Sequence, residues 1–70
     1  MMPLAMANVG ETGCIQKITG RDEVRQHLAE LGFVVGETVS VVSMLGGNMI
    51  LSVKDSRVAI DKTMAARIMI

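Results

Sequence analysis

The chain has 70 residues, and seven Lys and Arg balance seven Asp and Glu, so its formal net charge is zero. It contains one Cys, one His and one Phe, and no Trp or Tyr. The length allows one small domain, and balanced charge argues against a nucleic-acid or acidic-membrane binder. One Cys cannot form an intrachain disulfide, and a chain that is half hydrophobic is too apolar to be disordered.

The chain starts with an apolar run, MMPLAMAN, over residues 1–8. The run falls well short of the roughly 18–20 residues that a membrane-spanning helix needs. It also lacks the basic residues that begin a secretory signal. We therefore predict that it forms a first strand packed into the core, and that the domain is cytoplasmic.

Residues 13–20 (GCIQKITG) form a β-rich run bounded by glycines. Ile15 and Ile18 are three residues apart, which breaks the alternation of a regular strand. A β-bulge between them would turn both side chains inward. Cys14 is expected to act as a small buried or half-buried hydrophobe.

The clearest helix is predicted over residues 22–31. Asp22 is a suitable N-cap. Three apolar residues at i, i+4 and i+7 share one helix face: Val24, Leu28 and Leu31. Gly32 is placed to end the helix in the left-handed conformation, and Phe33 would then contact Leu28 as in a Schellman motif. His27 is expected at the border of the apolar face.

Three segments with β alternation follow, at residues 37–43, 49–54 and 57–60. Turns are predicted between them, at residues 46–48 and at residues 55–56. The side chains expected to point inward are Val39, Val41, Met49, Leu51, Val53, Val58 and Ile60.

Asp61 is placed to cap a short helical turn over residues 62–67, and residues 68–70 fit a closing strand. Open sheets of this size leave their edges unprotected, whereas strands at both chain ends can pair and close a barrel. We predict one domain over residues 1–70, mainly β: a small SH3-like β-barrel of five to six strands. It carries one inserted α-helix, at about residues 22–31, and a short C-terminal helical turn.

No catalytic motif is present in the sequence. Both common glycine-rich phosphate-binding motifs are missing. A Cys–His nucleophile pair needs contact and a third orienting group, and Cys14 and His27 lie on different predicted elements. We predict no enzymatic activity and no catalytic residues.

Metal ligands are few. Structural zinc normally takes four Cys or His ligands, and the chain offers two, so His27 and Cys14 are only weak candidates. A site would have to recruit Asp22, Glu23 or Glu30 around His27, or form between chains. We predict no metal site within the chain. The seven Met are scattered, and we expect most of them to fill a core that lacks aromatics.

The hairpin tip is the best candidate for a docking surface. Met44 and Leu45 stand beside its glycine turn, although a tip that folds inward fits the sequence equally well. The absence of Trp and Tyr argues against proline-rich ligands and against stacking on nucleic-acid bases. We expect partner contacts from Met44, Leu45 and Asn48 on the hairpin, and from Arg25 and Glu30 on the exposed side of the helix.

In order and spacing, several stretches of the chain resemble the FeoA (ferrous iron transport protein A) family. Residues 27–39 (HLAELGFVVGETV) are similar to its "rL-x-e-L-G-(hydrophobic)-x-x-G-x-x-V" signature. Gly10 and residues 13–20 resemble its opening, and residues 56–62 followed by 66–70 resemble its ending. The resemblance covers nearly the whole chain.

The resemblance implies an SH3-like barrel with an inserted helix, in a small cytoplasmic accessory protein of bacterial ferrous iron uptake. It implies that the protein binds and modulates FeoB, a membrane permease with a cytoplasmic GTP-binding domain, without inserting into the membrane itself. The alternative is a module that responds to a transition metal (Fe, Mn or Zn), related to the C-terminal domain of DtxR-type repressors. The chain departs from the family pattern at residues 43–48 and at Asp61, where the family has a basic residue.

Overall fold

The computed structural model describes all residues from Met1 to Ile70. A 3-10 helix at Leu4–Met6 opens the chain. The elements that follow are β1 Thr12–Cys14, β2 Lys17–Ile18, α1 Asp22–Glu30, β3 Thr38–Leu45, β4 Asn48–Val53, β5 Ser56–Asp61, α2 Lys62–Ala65 and β6 Ile68–Met69. The predicted mainly β architecture, with one inserted helix and a short C-terminal helix, is confirmed.

The strands form two antiparallel sheets. One sheet has four strands in the order β1-β3-β4-β5, and the other consists of β2 and β6. The two chain ends pair, because Met2 and Ile70 exchange two backbone hydrogen bonds with N···O distances of 2.7 and 2.8 Å. Pro3 also forms an isolated antiparallel bridge with Met69. The pairing of the terminal segments therefore closes the domain as predicted.

A single apolar core fills the space between the sheets and α1. It contains 13 buried residues, all hydrophobic, and no polar side chain is buried. The inward-pointing strand residues are largely as predicted: Val39, Val41, Met49, Leu51, Val53 and Ile60 are buried, and Val58 is half-buried. The alternation of the sequence therefore predicted the core faces of β3, β4 and β5 correctly.

The C-terminal end of α1 is a Schellman motif, as predicted. Gly32 has φ +106, a value that strongly favours glycine. The Phe33 N–H donates to the Leu28 carbonyl (2.9 Å), and the Gly32 N–H donates to the Ala29 carbonyl (3.0 Å). Leu28 and Phe33 are both fully buried. The only aromatic side chain of the protein thus joins the helix end to the core.

The start of α1 differs from the prediction. Asp22 is the first helical residue, and Arg21 is the N-cap, without a side-chain capping bond. The Asp22 carboxylate instead pairs with Arg25 one turn later, at 3.5 Å. Asp22 and Glu23 still place negative charge in the first turn, where the helix dipole favours it.

The N-terminal run does not form the predicted strand. Leu4–Met6 is a 3-10 helix that begins directly after Pro3, whose φ is −65. Leu, Ala and Met favour helical over extended backbone, and the run contains no β-branched residue. Its packing is as expected nonetheless, because Leu4 and Ala7 are buried.

The predicted bulged strand over residues 13–20 is in fact two strands in different sheets. Between β1 and β2, the Ile15 N–H donates to the Glu37 carbonyl and the Gln16 N–H donates to the Met69 carbonyl, both at 2.8 Å. The chain therefore crosses from one sheet to the other at this point. This crossing, rather than a bulge, turns Ile15 into the core and leaves Ile18 half-buried.

The turn between β4 and β5 lies one residue earlier than predicted. Val53 pairs with Ser56, so the two turn residues are Lys54 and Asp55, with φ values of 48 and 62. Positive φ at both central residues is typical of a type I′ hairpin. At the other end of β5, Asp61 caps α2 as predicted, because its Oδ1 accepts from the Met64 N–H at 2.8 Å.

Candidate partner-binding surface

The hairpin of β3 and β4 ends in a tight turn that presents an apolar side chain to solvent. Leu45 pairs with Asn48, so the turn consists of Gly46 and Gly47 alone, and Asn48 belongs to β4 rather than to the predicted turn. Gly46 has φ +62. Leu45 is 72% exposed and is held at this position by its pairing with Asn48.

A β-bulge in β3 decides where the two apolar tip residues point. The register with β4 shifts between Val41 and Ser43, so the strand carries one extra residue there. Beyond the bulge, Met44 lies opposite the buried Met49 and is 37% exposed. Leu45, the next residue, points to the opposite face. Both tip residues are therefore exposed, as the docking-surface alternative predicts: Met44 lies on the same face of the hairpin as Met49, and Leu45 lies on the other face.

Two further exposed apolar residues belong to segments that adjoin β3 or α2. Val9 is 56% exposed and Met6 is 70% exposed. The Gly10 N–H donates to the Val41 carbonyl, so Val9 continues alongside the part of β3 that leads to the tip. Met6 belongs to the 3-10 helix, which packs against α2 next to the start of β4. We define the hairpin end as Met6, Val9, Met44 and Leu45, with Asn48 at its rim.

Sequence reasoning missed Met6 and Val9. Met6 belongs to the apolar run of residues 1–8, which was expected to form a strand packed into the core, and Val9 directly follows that run. Only the pairing of residues far apart in sequence shows which of its side chains remain outside.

Arg25 and Glu30 are exposed on α1, but the structure does not bring them to the hairpin end. A Cβ placed on Gly32, just after the helix, would lie 3.5 Å from the Val53 side chain. Val53 is the last residue of β4 and Asn48 is the first, a distance of about 16 Å along a strand. The helix residues therefore belong to a separate surface.

The two candidate metal ligands are both exposed, which corrects the expected burial of Cys14, whereas the border position of His27 stays a prediction. Cys14 is exposed because its neighbour Gly13 occupies the inward-facing position. Gly13 takes the inward position of β1, so closely packed that an added Cβ would lie 2.9 Å from the Ile70 side chain. Since strand residues alternate, Cys14 points away from that contact.

No group of three or more His, Cys, Asp and Glu side chains lies close enough to hold a metal ion, and the surface has no pocket. No helix is long and apolar enough to cross a membrane. The absence of an intrachain metal site and the role of the named partner residues stay predictions.

Comparison with known proteins identifies the family. The model of the FeoA domain matches residues 2–70. A Methanocaldococcus jannaschii protein, whose name assigns it provisionally to Fe(2+) transport as protein A, is 34% identical over the 70 residues. That match covers all of this chain and 85% of the relative.

Solved structures agree with the family match. A crystal structure of an iron uptake regulatory protein (FeoA) superposes with TM-score 0.89 at 34% identity, covering 96% of this chain and 89% of that one. Stenotrophomonas maltophilia FeoA complexed with zinc, described as an SH3 domain protein, superposes with TM-score 0.79 at 28% identity. The match covers 99% of this chain and 88% of that one.

A manganese-dependent transcriptional repressor shares the fold over 38% of its own length and 94% of this chain, with TM-score 0.86 at 17% identity. The fold therefore occurs both in free-standing domains and as part of metal-dependent repressors. The resemblance that residues 27–39 first indicated extends over the whole chain, and the protein belongs to the FeoA domain family, with its SH3-like fold.

Proposed function

We propose that this chain is a non-enzymatic accessory protein of ferrous iron uptake, which binds the cytoplasmic part of a FeoB-type permease and modulates its activity. Family membership and the 34% identity with a relative named for Fe(2+) transport support the link to iron transport. The protein would work at the inner face of the membrane, recruited there by its partner.

The exposure of Leu45 is the observation that supports a partner contact at the hairpin. A large apolar side chain, 72% exposed, stands at the tip of a hairpin whose residues are paired up to a two-residue turn. Clustered exposed apolar residues mark interaction sites, and a paired hairpin holds such a residue in a fixed position. We therefore place the partner contact at the hairpin end, with Leu45 at its centre.

The rest of the hairpin end fits an apolar contact with a polar margin. Met6 and Val9 add exposed apolar area beside the tip. Met side chains adapt to the shape of a partner surface. Asn48, exposed across from Leu45, supplies hydrogen-bonding groups at the rim. Arg25 and Glu30 stay a prediction for a second, separate contact.

The proposal is tested by titrating the purified cytoplasmic domain of the cognate permease, with GDP and with a non-hydrolysable GTP analogue, into three forms of this protein. These are the wild type, Leu45→Asp and Val35→Asp. Val35 is a matched control, because it is 65% exposed and precedes β3 at the end opposite the tip. We expect Leu45→Asp to weaken binding about tenfold or more, or about 1.4 kcal/mol, and Val35→Asp to leave it unchanged.

Two results would count against the proposal. If the permease domain bound neither with GDP nor with the GTP analogue, the permease would be excluded as the partner. Equal binding by Leu45→Asp and the wild type would remove the hairpin end as the contact, while the partner could still stand.

The alternative function is a transition-metal-responsive module. Its support is the exposed positions of Cys14 and His27 and the zinc bound by the Stenotrophomonas maltophilia relative. It predicts micromolar binding of Fe(II), Mn(II) or Zn(II) by calorimetry, lost in Cys14→Ala or His27→Ala. Weak binding that neither substitution changes would favour the accessory-protein function instead.

A further inference from the structure

One edge of the larger sheet is open. β5 is the last strand in the order β1-β3-β4-β5, and only β4 and α2 pack against it closely. Along β5, Arg57, Ala59 and Asp61 are exposed. An unpaired strand edge presents a row of backbone donors and acceptors that a further strand can join.

The register shows which backbone groups face this edge. Val53 and Ser56 flank the two-residue turn, so they form a hydrogen-bonded pair, and such pairs alternate along an antiparallel ladder. At the other end of β5, the Lys62 N–H donates to the Gly47 carbonyl. This second hydrogen-bonded pair agrees with the alternation that starts at Val53 and Ser56. Hence Arg57, Ala59 and Asp61 turn their N–H and C=O groups away from β4.

When two copies of β5 pair antiparallel, the charges of Arg57 and Asp61 on one copy can complement those on the other. If a second copy pairs its β5 antiparallel to the first with the two Ala59 residues opposite each other, Arg57 of each copy faces Asp61 of the other. Centring the pairing on Arg57 or on Asp61 would instead oppose like charges, which is unfavourable. The Ala59-centred register is therefore the one that satisfies both charge pairs, and it also uses the outward backbone groups of all three residues.

The outer face of the sheet supports the same arrangement. Ala59 is paired with Ile50 of β4, and Ile50 is half-buried on the face opposite the core residues Met49 and Leu51. In the paired state, an apolar row would run from Ile50 through both Ala59 side chains to Ile50 of the second copy. The zero net charge of the chain adds no long-range repulsion between copies.

We infer that two copies of this chain associate through their β5 edges in this register, to form one continuous eight-stranded sheet around a two-fold axis. The interface is small, because it consists of one strand per copy, and interfaces below about 1,200 Å² in total belong to weak complexes. The dimer is thus populated at high protein concentration. The inference does not depend on the proposed permease contact, since it uses β5 and not Leu45.

Disulfide trapping tests the register. In a Cys14→Ser background, which removes the exposed native thiol, Ala59→Cys places two thiols opposite each other. Their Cα atoms would be about 5.5 Å apart, within the range of about 4.4–6.8 Å that a disulfide allows. Arg57→Cys in the same background is the control, because the two copies of position 57 would lie about 13 Å apart along the strands.

We expect the Ala59→Cys protein to form a covalent dimer under mild oxidation about fivefold faster or more than the Arg57→Cys protein. Adding Arg57→Glu to the Ala59→Cys protein should slow trapping by a similar factor, because it opposes two acidic residues. Arg57→Lys should not slow it, and neither should Arg21→Glu, an equal charge change on another element. Equal trapping at positions 59 and 57, or trapping that is insensitive to Arg57→Glu, would overturn the inference.

Discussion

The turn between β4 and β5 holds two non-glycine residues in left-handed conformations, at Lys54 (φ 48) and Asp55 (φ 62). A type I′ hairpin favours Asn-Gly at these two positions. Replacing Lys54 by Asn and Asp55 by Gly should therefore raise the free energy of unfolding, although both substitutions are on the surface. Few surface changes are expected to stabilise a protein, which makes the direction of the effect informative.

The magnitude follows from three contributions. A left-handed conformation costs an ordinary residue about 1 kcal/mol or more, and Asn tolerates it better than Lys. Asp55 tolerates this conformation better than Lys54 does, so glycine at position 55 relieves less strain, and it costs about 0.4–1 kcal/mol through the entropy of the unfolded chain. The Lys54–Glu37 ion pair that is lost spans 3.9 Å between side chains 51% and 36% exposed, so it contributes at most about 0.5 kcal/mol. The net gain should therefore be at most about 1 kcal/mol.

Urea and thermal unfolding followed by circular dichroism would measure this gain. For a domain of this length, about 1 kcal/mol corresponds to a rise in Tm of about 4–8 °C. Gly46→Ala is the matched control, because Gly46 has φ +62 in the other hairpin and an added Cβ would meet no atom within 4 Å. It should lose about 1 kcal/mol through backbone strain alone. A double variant that lowers Tm, together with a neutral Gly46→Ala, would refute the assignment of both turns.

Two other stability predictions rest on single contacts. Asp61→Ala removes the bond to the Met64 N–H and should cost about 1 kcal/mol, whereas Asp61→Asn should retain most of the stability because Asn caps equally well; urea titration of both at low protein concentration distinguishes them. Gly13→Ala would bring a Cβ to 2.9 Å from Ile70 Cδ1 and 3.0 Å from its Cβ, so it should cost about 1–3 kcal/mol. A Gly13→Ala protein as stable as the wild type in thermal unfolding would show that the chain ends do not pack as described.

Local signals in the sequence predicted the parts of the fold that depend on local chemistry. The geometry of one helix end places Leu28, Gly32 and Phe33, so their spacing in the sequence was sufficient to predict the Schellman motif. The core faces of β3, β4 and β5 follow from strict alternation, and the cap at Asp61 follows from the preference of Asp for that position.

The parts that the sequence did not predict depend on long-range pairing. Residues 13–20 read as one strand, because nothing local shows that β1 joins β3 while β2 joins β6. The exposure of Cys14 follows from the close approach of Ile70 to Gly13, a contact between residues far apart in the sequence. Similarly, Met44 was correctly identified as a tip residue, but the face of the hairpin on which it lies is set by a bulge at which the register with β4 shifts. Asp22 made a plausible N-cap, and only the backbone shows that the helix includes it.

The central claim is that the hairpin end is the surface through which this protein binds a ferrous iron permease. The most direct measurement is the ratio of the two dissociation constants of Leu45→Asp and Val35→Asp for the permease's cytoplasmic domain. Both variants add one negative charge at an exposed aliphatic position. The ratio therefore measures how much the effect of this charge depends on its position. A ratio of about ten or more is the predicted result, and a ratio near one would contradict the claim.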